Sequence, residues 1–188
     1  MNCRLAAGWL EPVRRLPSPN CDQRPVDTAI DLLVVHNISL PPGHFDNGCI
    51  DALFTNQLDP IAHPTFRGLE GCTVSAHLLI DRHGSLTQYV PFHMRAWHAG
   101  ESCFQQRTRC NDFSIGIELE GCDDVPYERV QYLRLAEVIR LLQKHYPALN
   151  QERIVGHSDI APQRKTDPGK AFDWACLFTL LAGADESG

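Results

Sequence analysis

The stretch that decides the fold is "AIDLLVVHNIS", residues 29–39. Its run from Ile30 to Val35 is apolar apart from Asp31, and a short apolar run of this kind is typical of a buried strand. The run leads directly into His36, so an imidazole is expected where the strand leaves the sheet. A second run, "RIVGH" (residues 153–157), ends in the same way at His157. The sequence therefore predicts two buried strands that each deliver a histidine.

Outward from these strands, helical and strand-like patterns alternate along the chain. "TVSAHLLIDRHGSLTQYVP" (residues 73–91) predicts a hairpin that turns at His83-Gly84, and "FSIGIELEG" (residues 113–121) predicts another strand. Apolar residues at helical spacing predict a short helix after Gly48, a long one from about Pro126 to Tyr146, and a last one capped by Asp173. This interleaving predicts an α/β (α+β) fold, a single domain with a central mixed sheet flanked by helices.

The division of the chain follows from where regular patterns begin and end. Residues 1–28 contain four prolines and predict an extended lead-in without regular structure. Residues 29–182 are expected to form one domain, since 188 residues match the size of an ordinary single domain. Residues 183–188, "GADESG", predict a disordered tail.

Composition excludes some functions and favours one compartment. The net charge is −6, which gives no basic face for nucleic acid or an anionic membrane surface. The eight cysteines form no C-x-x-C pair, and we interpret them as inert thiols in a reducing compartment. The sequence shows neither a signal peptide pattern nor a transmembrane span. These features predict a cytoplasmic protein.

His36, His157 and Asp167 are candidates for a metal site. Asp167 follows His157 by ten residues, in a loop stiffened by Pro162 and Pro168, and can fold back beside it. Two imidazoles and a carboxylate suit an open zinc site with water at the fourth tetrahedral position. Histidines at strand ends that only make structural hydrogen bonds are the alternative.

Glu118 and Lys165 acquire roles if zinc is bound there. Glu118 alternates with the apolar residues of its strand and is a candidate base for a zinc-activated water. Lys165 precedes Asp167 by two residues and could stabilise an oxyanion. The alternatives are a glutamate paired with an arginine and a solvated surface lysine.

Five motifs taken together resemble a known family. "VVHNISLPPG", "VSAHLLI", "RAWHAG", "CNDFSIGIELEG" and "GHSDIAPQRKTDPG" occur in the order found in the AmpD family of N-acetylmuramyl-L-alanine amidases. That family is related to peptidoglycan recognition proteins and phage T7 lysozyme, and the resemblance covers about residues 9 to 174. It implies the peptidoglycan-recognition-protein or type 2 amidase fold, with zinc as the cofactor.

The resemblance also implies a role for each site residue. It assigns the zinc ligands to His36, His157 and Asp167. It gives the proton transfer to Glu118 and the support of the oxyanion to Lys165. The residues that it suggests for substrate contact are Asn37, Trp97 and Arg109.

The function that follows is hydrolysis of the amide between the lactyl group of 1,6-anhydro-N-acetylmuramic acid and L-alanine. The substrate would be a small muropeptide from peptidoglycan recycling, and no protein partner is implied. One alternative is a lytic amidase of the same fold that acts on intact murein. Another is a sensor that binds peptidoglycan without catalysis, although such binders usually lack a metal ligand that this chain has. A thiol enzyme is disfavoured because no cysteine stands in a nucleophile motif with a histidine.

Overall fold

The computed structural model describes residues 3–183, which form twelve strands and four α-helices. In chain order the strands are β1 (Arg4–Ala6), β2 (Trp9–Glu11), β3 (Arg14–Arg15), β4 (Cys21–Gln23), β5 (Leu32–Ile38), β6 (Leu78–Ile80), β7 (Leu86–Gln88), β8 (Met94–Ala96), β9 (Cys103–Phe104), β10 (Arg107–Thr108), β11 (Ser114–Glu120) and β12 (Ile154–Gly156). The helices are α1 (Cys49–Phe54), α2 (Arg129–His145), α3 (His157–Ile160) and α4 (Trp174–Ala182). The predicted disordered tail lies outside the described residues except for Gly183.

Six of the strands form the central sheet, in the order β12-β5-β11-β6-β7-β3. β12, β5, β11 and β6 are parallel to their neighbours, whereas β6 and β7 form the antiparallel hairpin predicted around Gly84. The sheet is therefore mixed, as predicted. β5 and β11 are interior strands, paired over seven residues, and together they fix the geometry of the parallel half.

Both faces of the parallel half are buried. On one face, side chains of β5 and β11 such as Val35 and Ile117 pack with α2 and α4 in the largest apolar cluster. On the other, Leu32 and Val34 pack with Phe113 and Ile160. A parallel sheet covered on both sides explains why the run in β5 is continuously apolar.

The polar residues of β11 are buried as well as the apolar ones. Glu118 is 8% exposed and Glu120 is 4% exposed. Glu120 is paired with the backbone: its carboxylate accepts hydrogen bonds from the backbone N–H of Asp46 at 2.8 Å and of Arg82 at 3.3 Å. Glu120 thereby connects two loops to the end of β11 through hydrogen bonds, and Glu118 takes no part in these two contacts.

The helices agree with the predicted pattern. α2 ends one residue before Tyr146, which Pro147 follows. Asp173 caps α4, because its Oδ1 accepts a hydrogen bond from the backbone N–H of Cys176 at 2.9 Å. α1, the short helix predicted after Gly48, spans six residues and stops at Phe54, since Asn56 adopts a left-handed backbone conformation with φ 59°.

The prediction that residues 1–28 lack regular structure is wrong. β1 and β2 form a hairpin, β3 pairs with β7 at the edge of the central sheet, and β4 pairs with β8. Leu10 is fully buried, and its backbone N–H donates to the side chain of Gln88 at 2.7 Å. These strands have two or three residues each, too short for periodicity to indicate them. The predicted domain boundary between residues 28 and 29 stays a prediction.

Candidate active site

The predicted metal ligands meet at the carboxyl ends of the parallel strands. His36 lies near the end of β5, and His157 directly follows β12, which pairs with β5. Asp167 comes from the loop between α3 and α4. Because neighbouring parallel strands end at the same edge of a sheet, the two histidines are brought together by strand pairing alone. We refer to His36, His157 and Asp167 as the ligand corner.

Three atoms of the ligand corner converge on one point. The Nδ1 atoms of His36 and His157 are 2.9 Å apart, and the Oδ2 atom of Asp167 lies 3.1 Å from the first and 3.0 Å from the second. In an ideal tetrahedral zinc site the ligand atoms are about 3.3 Å apart. The triangle is thus close to the size that a zinc ion requires, and the donor set of two nitrogens and one oxygen suits that ion.

The electrostatics of these side chains also suit a cation. Burial, partly offset by the hydrogen bond to Asp167, lowers the pKa of His36 to about 4, so its ring is neutral. Burial alone would raise the pKa of Asp167, but hydrogen bonds with His157 and His36 bring it below the ordinary range. The corner therefore offers a neutral imidazole at His36 and an ionised carboxylate at Asp167, which are the forms that bind metals.

Each imidazole is held through its second nitrogen. Nε2 of His36 lies 2.9 Å from Nδ1 of His98, and Nε2 of His157 lies 3.1 Å from the carbonyl oxygen of Ala99. The sequence indicated His98 only as a neighbour of Trp97 in "RAWHAG", without a contact to the metal site. No periodic signal could have placed it there, because it lies 62 residues from His36 in the chain.

Glu118 faces the ligand corner as a buried carboxylate. It stands in register with His36 on the neighbouring strand. Among the described residues its Oε2 atom has no hydrogen-bond partner. Burial in the first place, and the negative charge of Asp167 in the second, raise its pKa well above the ordinary value, while Lys165 acts in the opposite direction. The raised pKa favours the protonated form of this carboxyl, so Glu118 is suited to take up a proton during a reaction.

The corner opens into a cavity of about 270 Å³. Its polar lining consists of Asn37, Glu118 and Lys165 together with Ser75, the three candidate ligands and His98. The rest of the lining, which we call the apolar wall, includes Leu40, Leu53, Phe54, Leu69 and Val74. This combination of an apolar wall with a few convergent polar groups is typical of a small-molecule site.

The predicted substrate contacts are more dispersed than the ligands. Asn37 lines the cavity, but its Nδ2 donates to Asp123 at 2.8 Å and to the carbonyl of Pro168 at 3.0 Å. The indole of Trp97 donates to Asp22 at 3.2 Å. Arg109 has a side chain that is 70% exposed and is 3.3 Å from Asp112. It lines a second cavity, of about 540 Å³, with Gly100 and neighbouring residues. The substrate roles of all three stay predictions.

Fold and site together define the class of protein. Residues 26–170 match the family model described as N-acetylmuramoyl-L-alanine amidase, so the chain belongs to that family. It is an amide hydrolase with the mixed-sheet fold predicted from the sequence. None of the helices in residues 3–183 is long and apolar enough to cross a membrane.

Individual relatives narrow the comparison further. The chain is 59% identical to 1,6-anhydro-N-acetylmuramyl-L-alanine amidase AmpD of Escherichia coli (strain K12), over 95% of this chain and 97% of the relative. A crystal structure of a selenomethionine AmpD derivative superposes with a TM-score of 0.92 at 57% identity, covering 94% of this chain and 98% of the other.

A more distant solved structure is the N-acetylmuramyl-L-alanine amidase AmiD from E. coli, in complex with the substrate anhydro-N-acetylmuramic acid-L-Ala-D-γ-Glu-L-Lys. It is 27% identical, with a TM-score of 0.59, and the match covers 95% of this chain and 65% of that one.

Proposed function

We propose that this chain is a zinc-dependent amidase that cleaves the bond between the lactyl group of 1,6-anhydro-N-acetylmuramic acid and L-alanine in recycled muropeptides. The observation that carries the proposal is the triangle of ligand atoms, 2.9–3.1 Å on each side, beside Oε2 of Glu118, which has no hydrogen-bond partner among residues 3–183. The substrate class rests on the relatives: the one at 59% identity is a 1,6-anhydro-N-acetylmuramyl-L-alanine amidase, and the AmiD structure is a complex with a peptide of anhydro-N-acetylmuramic acid.

His36, His157 and Asp167 would hold the zinc ion. When bound there, zinc polarises the scissile carbonyl and lowers the pKa of water to about 7. Both histidines present Nδ1 to the shared point, and each has its Nε2 within hydrogen-bond distance of a partner on the far side of the ring. The protein thus supplies a preformed set of donors and does not have to reorganise to bind the ion.

Glu118 would move the proton. In the reaction its Oε2 takes a proton from the attacking water and passes it to the nitrogen of the leaving amine, so that a poor leaving group departs as a neutral amine. The raised pKa of this carboxyl fits this role, since the group must hold the proton after it leaves the water and before it reaches the amine.

Lys165 would stabilise the negative charge that develops on the carbonyl oxygen. It lines the same cavity as Glu118 and lies close enough to influence the pKa of that carboxyl. A cation already in place costs no rearrangement when the oxyanion forms, and this makes it effective in a water-poor site. The apolar wall of the cavity limits access of bulk water to these charges.

The cytoplasm is the compartment that we propose. All eight cysteines are free thiols in the structure, which supports a reducing environment. Fractionation of cells that produce the native protein, followed by immunodetection, tests this location: the protein should be found with the cytoplasmic markers, and its appearance with envelope markers would contradict it.

The test of the activity is mass spectrometry of products from purified anhydro-muropeptide. We expect the free stem peptide and the anhydro sugar to be released, the release to stop after zinc is removed by chelation, and zinc to restore it. Intact murein sacculi incubated in parallel address the lytic alternative. Cleavage of murein with no cleavage of the soluble substrate would favour the lytic enzyme, and binding without cleavage of either would favour the sensor.

A further inference from the structure

We infer that the dipeptide His98-Ala99 orients both imidazole ligands of the proposed zinc site, with His98 as the positioning residue for His36. The inference rests on the proposed function, because it takes zinc as the ion bound at the ligand corner. It assigns a role to a histidine that touches neither the candidate ion nor the reacting atoms.

The two nitrogens of the His36 ring face different partners. Its Nδ1 faces His157 and Asp167, at 2.9 and 3.1 Å, so this nitrogen must be unprotonated to bind a metal. The ring proton then belongs on Nε2, which lies 2.9 Å from Nδ1 of His98. His98 accepts that proton in a hydrogen bond and so selects the tautomer of His36 that presents Nδ1 to the metal.

His98 has a protein partner on its second ring nitrogen as well. Its Nε2 lies 3.0 Å from the hydroxyl oxygen of Ser114, and we assign the proton of this contact to Nε2, so that Ser114 accepts. With its proton on Nε2, a neutral His98 has a free lone pair on Nδ1, and this lone pair points at His36. Both ring nitrogens of His98 are therefore engaged with protein groups, which makes it a positioning residue although its side chain borders the cavity.

The next residue does the same for the other imidazole. The carbonyl oxygen of Ala99 lies 3.1 Å from Nε2 of His157, whose Nδ1 faces Asp167 at 3.0 Å. Arg164 also donates to this carbonyl, through Nη2 at 2.6 Å. Two consecutive residues thus fix the tautomer of both ligands, one through a side chain and the other through the backbone.

The dipeptide is fixed from two directions. The side-chain oxygen of Asn111 accepts hydrogen bonds from the backbone N–H of His98 at 3.1 Å and of Ala99 at 2.7 Å. On the other side the ring of His98 packs over Gly116 of β11, where a Cβ atom would lie only 2.4 Å from the ring. A side chain at position 116 would displace the imidazole, so the glycine provides the space that the contact requires.

Zinc affinity measured by competition with a chromophoric chelator tests the inference directly. His98→Phe keeps the ring volume and removes the acceptor, and we expect zinc to bind about 10- to 100-fold more weakly. His98→Asn restores an oxygen acceptor near the Nδ1 position and should recover most of the affinity. His83→Phe, at an exposed histidine of the hairpin turn, is the matched control and should bind zinc like the wild type.

The outcomes separate this inference from the proposed function. If the wild type binds zinc and His98→Phe binds it equally well, the positioning role of His98 is wrong while the zinc site stands. If the wild type itself fails to bind zinc, both are wrong. Weaker binding in His98→Phe with no recovery in His98→Asn would also overturn the role as an acceptor.

A second measurement uses the unmodified protein and does not depend on how the variants fold. In zinc-loaded protein with ¹⁵N-labelled histidine, NMR should detect a scalar coupling between Nε2 of His36 and Nδ1 of His98, transmitted across the hydrogen bond. Its absence, or a His36 that binds zinc through Nε2, would overturn the inference.

Discussion

The ligand corner and the segment that carries Arg109 are built in different ways. His36 and Glu118 are part of long, buried, paired strands, and their side chains are held by sheet register. Arg109 stands on the connection between the short strand β10 and β11, with a 70% exposed side chain. The contrast is between a chemical centre fixed by strand pairing and an exposed side chain on a connecting segment, and connecting segments often carry specificity.

The largest effect should come from removal of a ligand. For His36→Ala we expect loss of stoichiometric zinc binding and a fall in kcat/KM of about 10⁴-fold or more, because the carbonyl is no longer polarised. Metal analysis and turnover of anhydro-muropeptide measure the two quantities. His145→Ala, at an exposed histidine of α2, is the control and should behave as wild type. Zinc retained at one equivalent in His36→Ala would contradict the assigned ligand set.

Glu118→Gln should be the next most severe change. The amide has the shape of the carboxyl group but cannot take up a proton, so we expect kcat to fall by about 10²- to 10⁴-fold. Zinc binding should persist, which distinguishes this variant from one at a ligand. Single-turnover kinetics and metal analysis on the same sample measure both quantities. A kcat within about threefold of wild type would show that Glu118 does not transfer the proton.

Lys165→Met should have a smaller effect that falls on the chemical step. Loss of one group that stabilises an oxyanion lowers kcat by about 10²- to 10³-fold. Lys170→Met is the matched control, since Lys170 is an exposed lysine that pairs with Asp124 at 2.9 Å. Steady-state kinetics of the two variants decide the point. Equal loss in both would indicate a general effect of charge and exclude a local role for Lys165.

Arg109→Ala should give the smallest effect, and of a different kind. If Arg109 contacts the substrate, KM should rise by about tenfold with kcat almost unchanged, because the contact is equal in the ground and transition states. Arg107→Ala changes the neighbouring arginine, which instead pairs with Asp31 at 2.6 Å, and should leave KM as it is. A large fall in kcat for Arg109→Ala would mean that the exposed loop takes part in the chemistry.

The sequence predicts the structure best where the chain is periodic and buried. The apolar runs before His36 and His157 predicted strands that deliver histidines, and the structure brings those histidines to within 2.9 Å. Family resemblance then assigned roles that the spacing alone left open. These predictions worked because a buried parallel strand has a recognisable pattern and a defined edge.

Other features depend on contacts that a local pattern does not encode. The strands β1 to β4 are too short to produce periodicity. β1 and β2 pair with each other, while β3 and β4 form by pairing with the distant strands β7 and β8. The contact between His98 and His36 arises from the meeting of a loop with a strand across the sheet. The burial of Glu118 could not be predicted from its alternating position either, because alternation defines the face and not what covers it.

The register between β5 and β11 has a consequence for how this enzyme can diversify. Because Glu118 is directly opposite His36, the separation of the proton carrier and the metal ligand is set by the spacing of neighbouring strands, about 4.8 Å. Insertions and deletions in the connection from residue 39 to 73 reshape the apolar wall without altering that separation. Changes in this connection can therefore alter which substrates fit the cavity, while the distance between Glu118 and His36 on which the reaction depends stays the same.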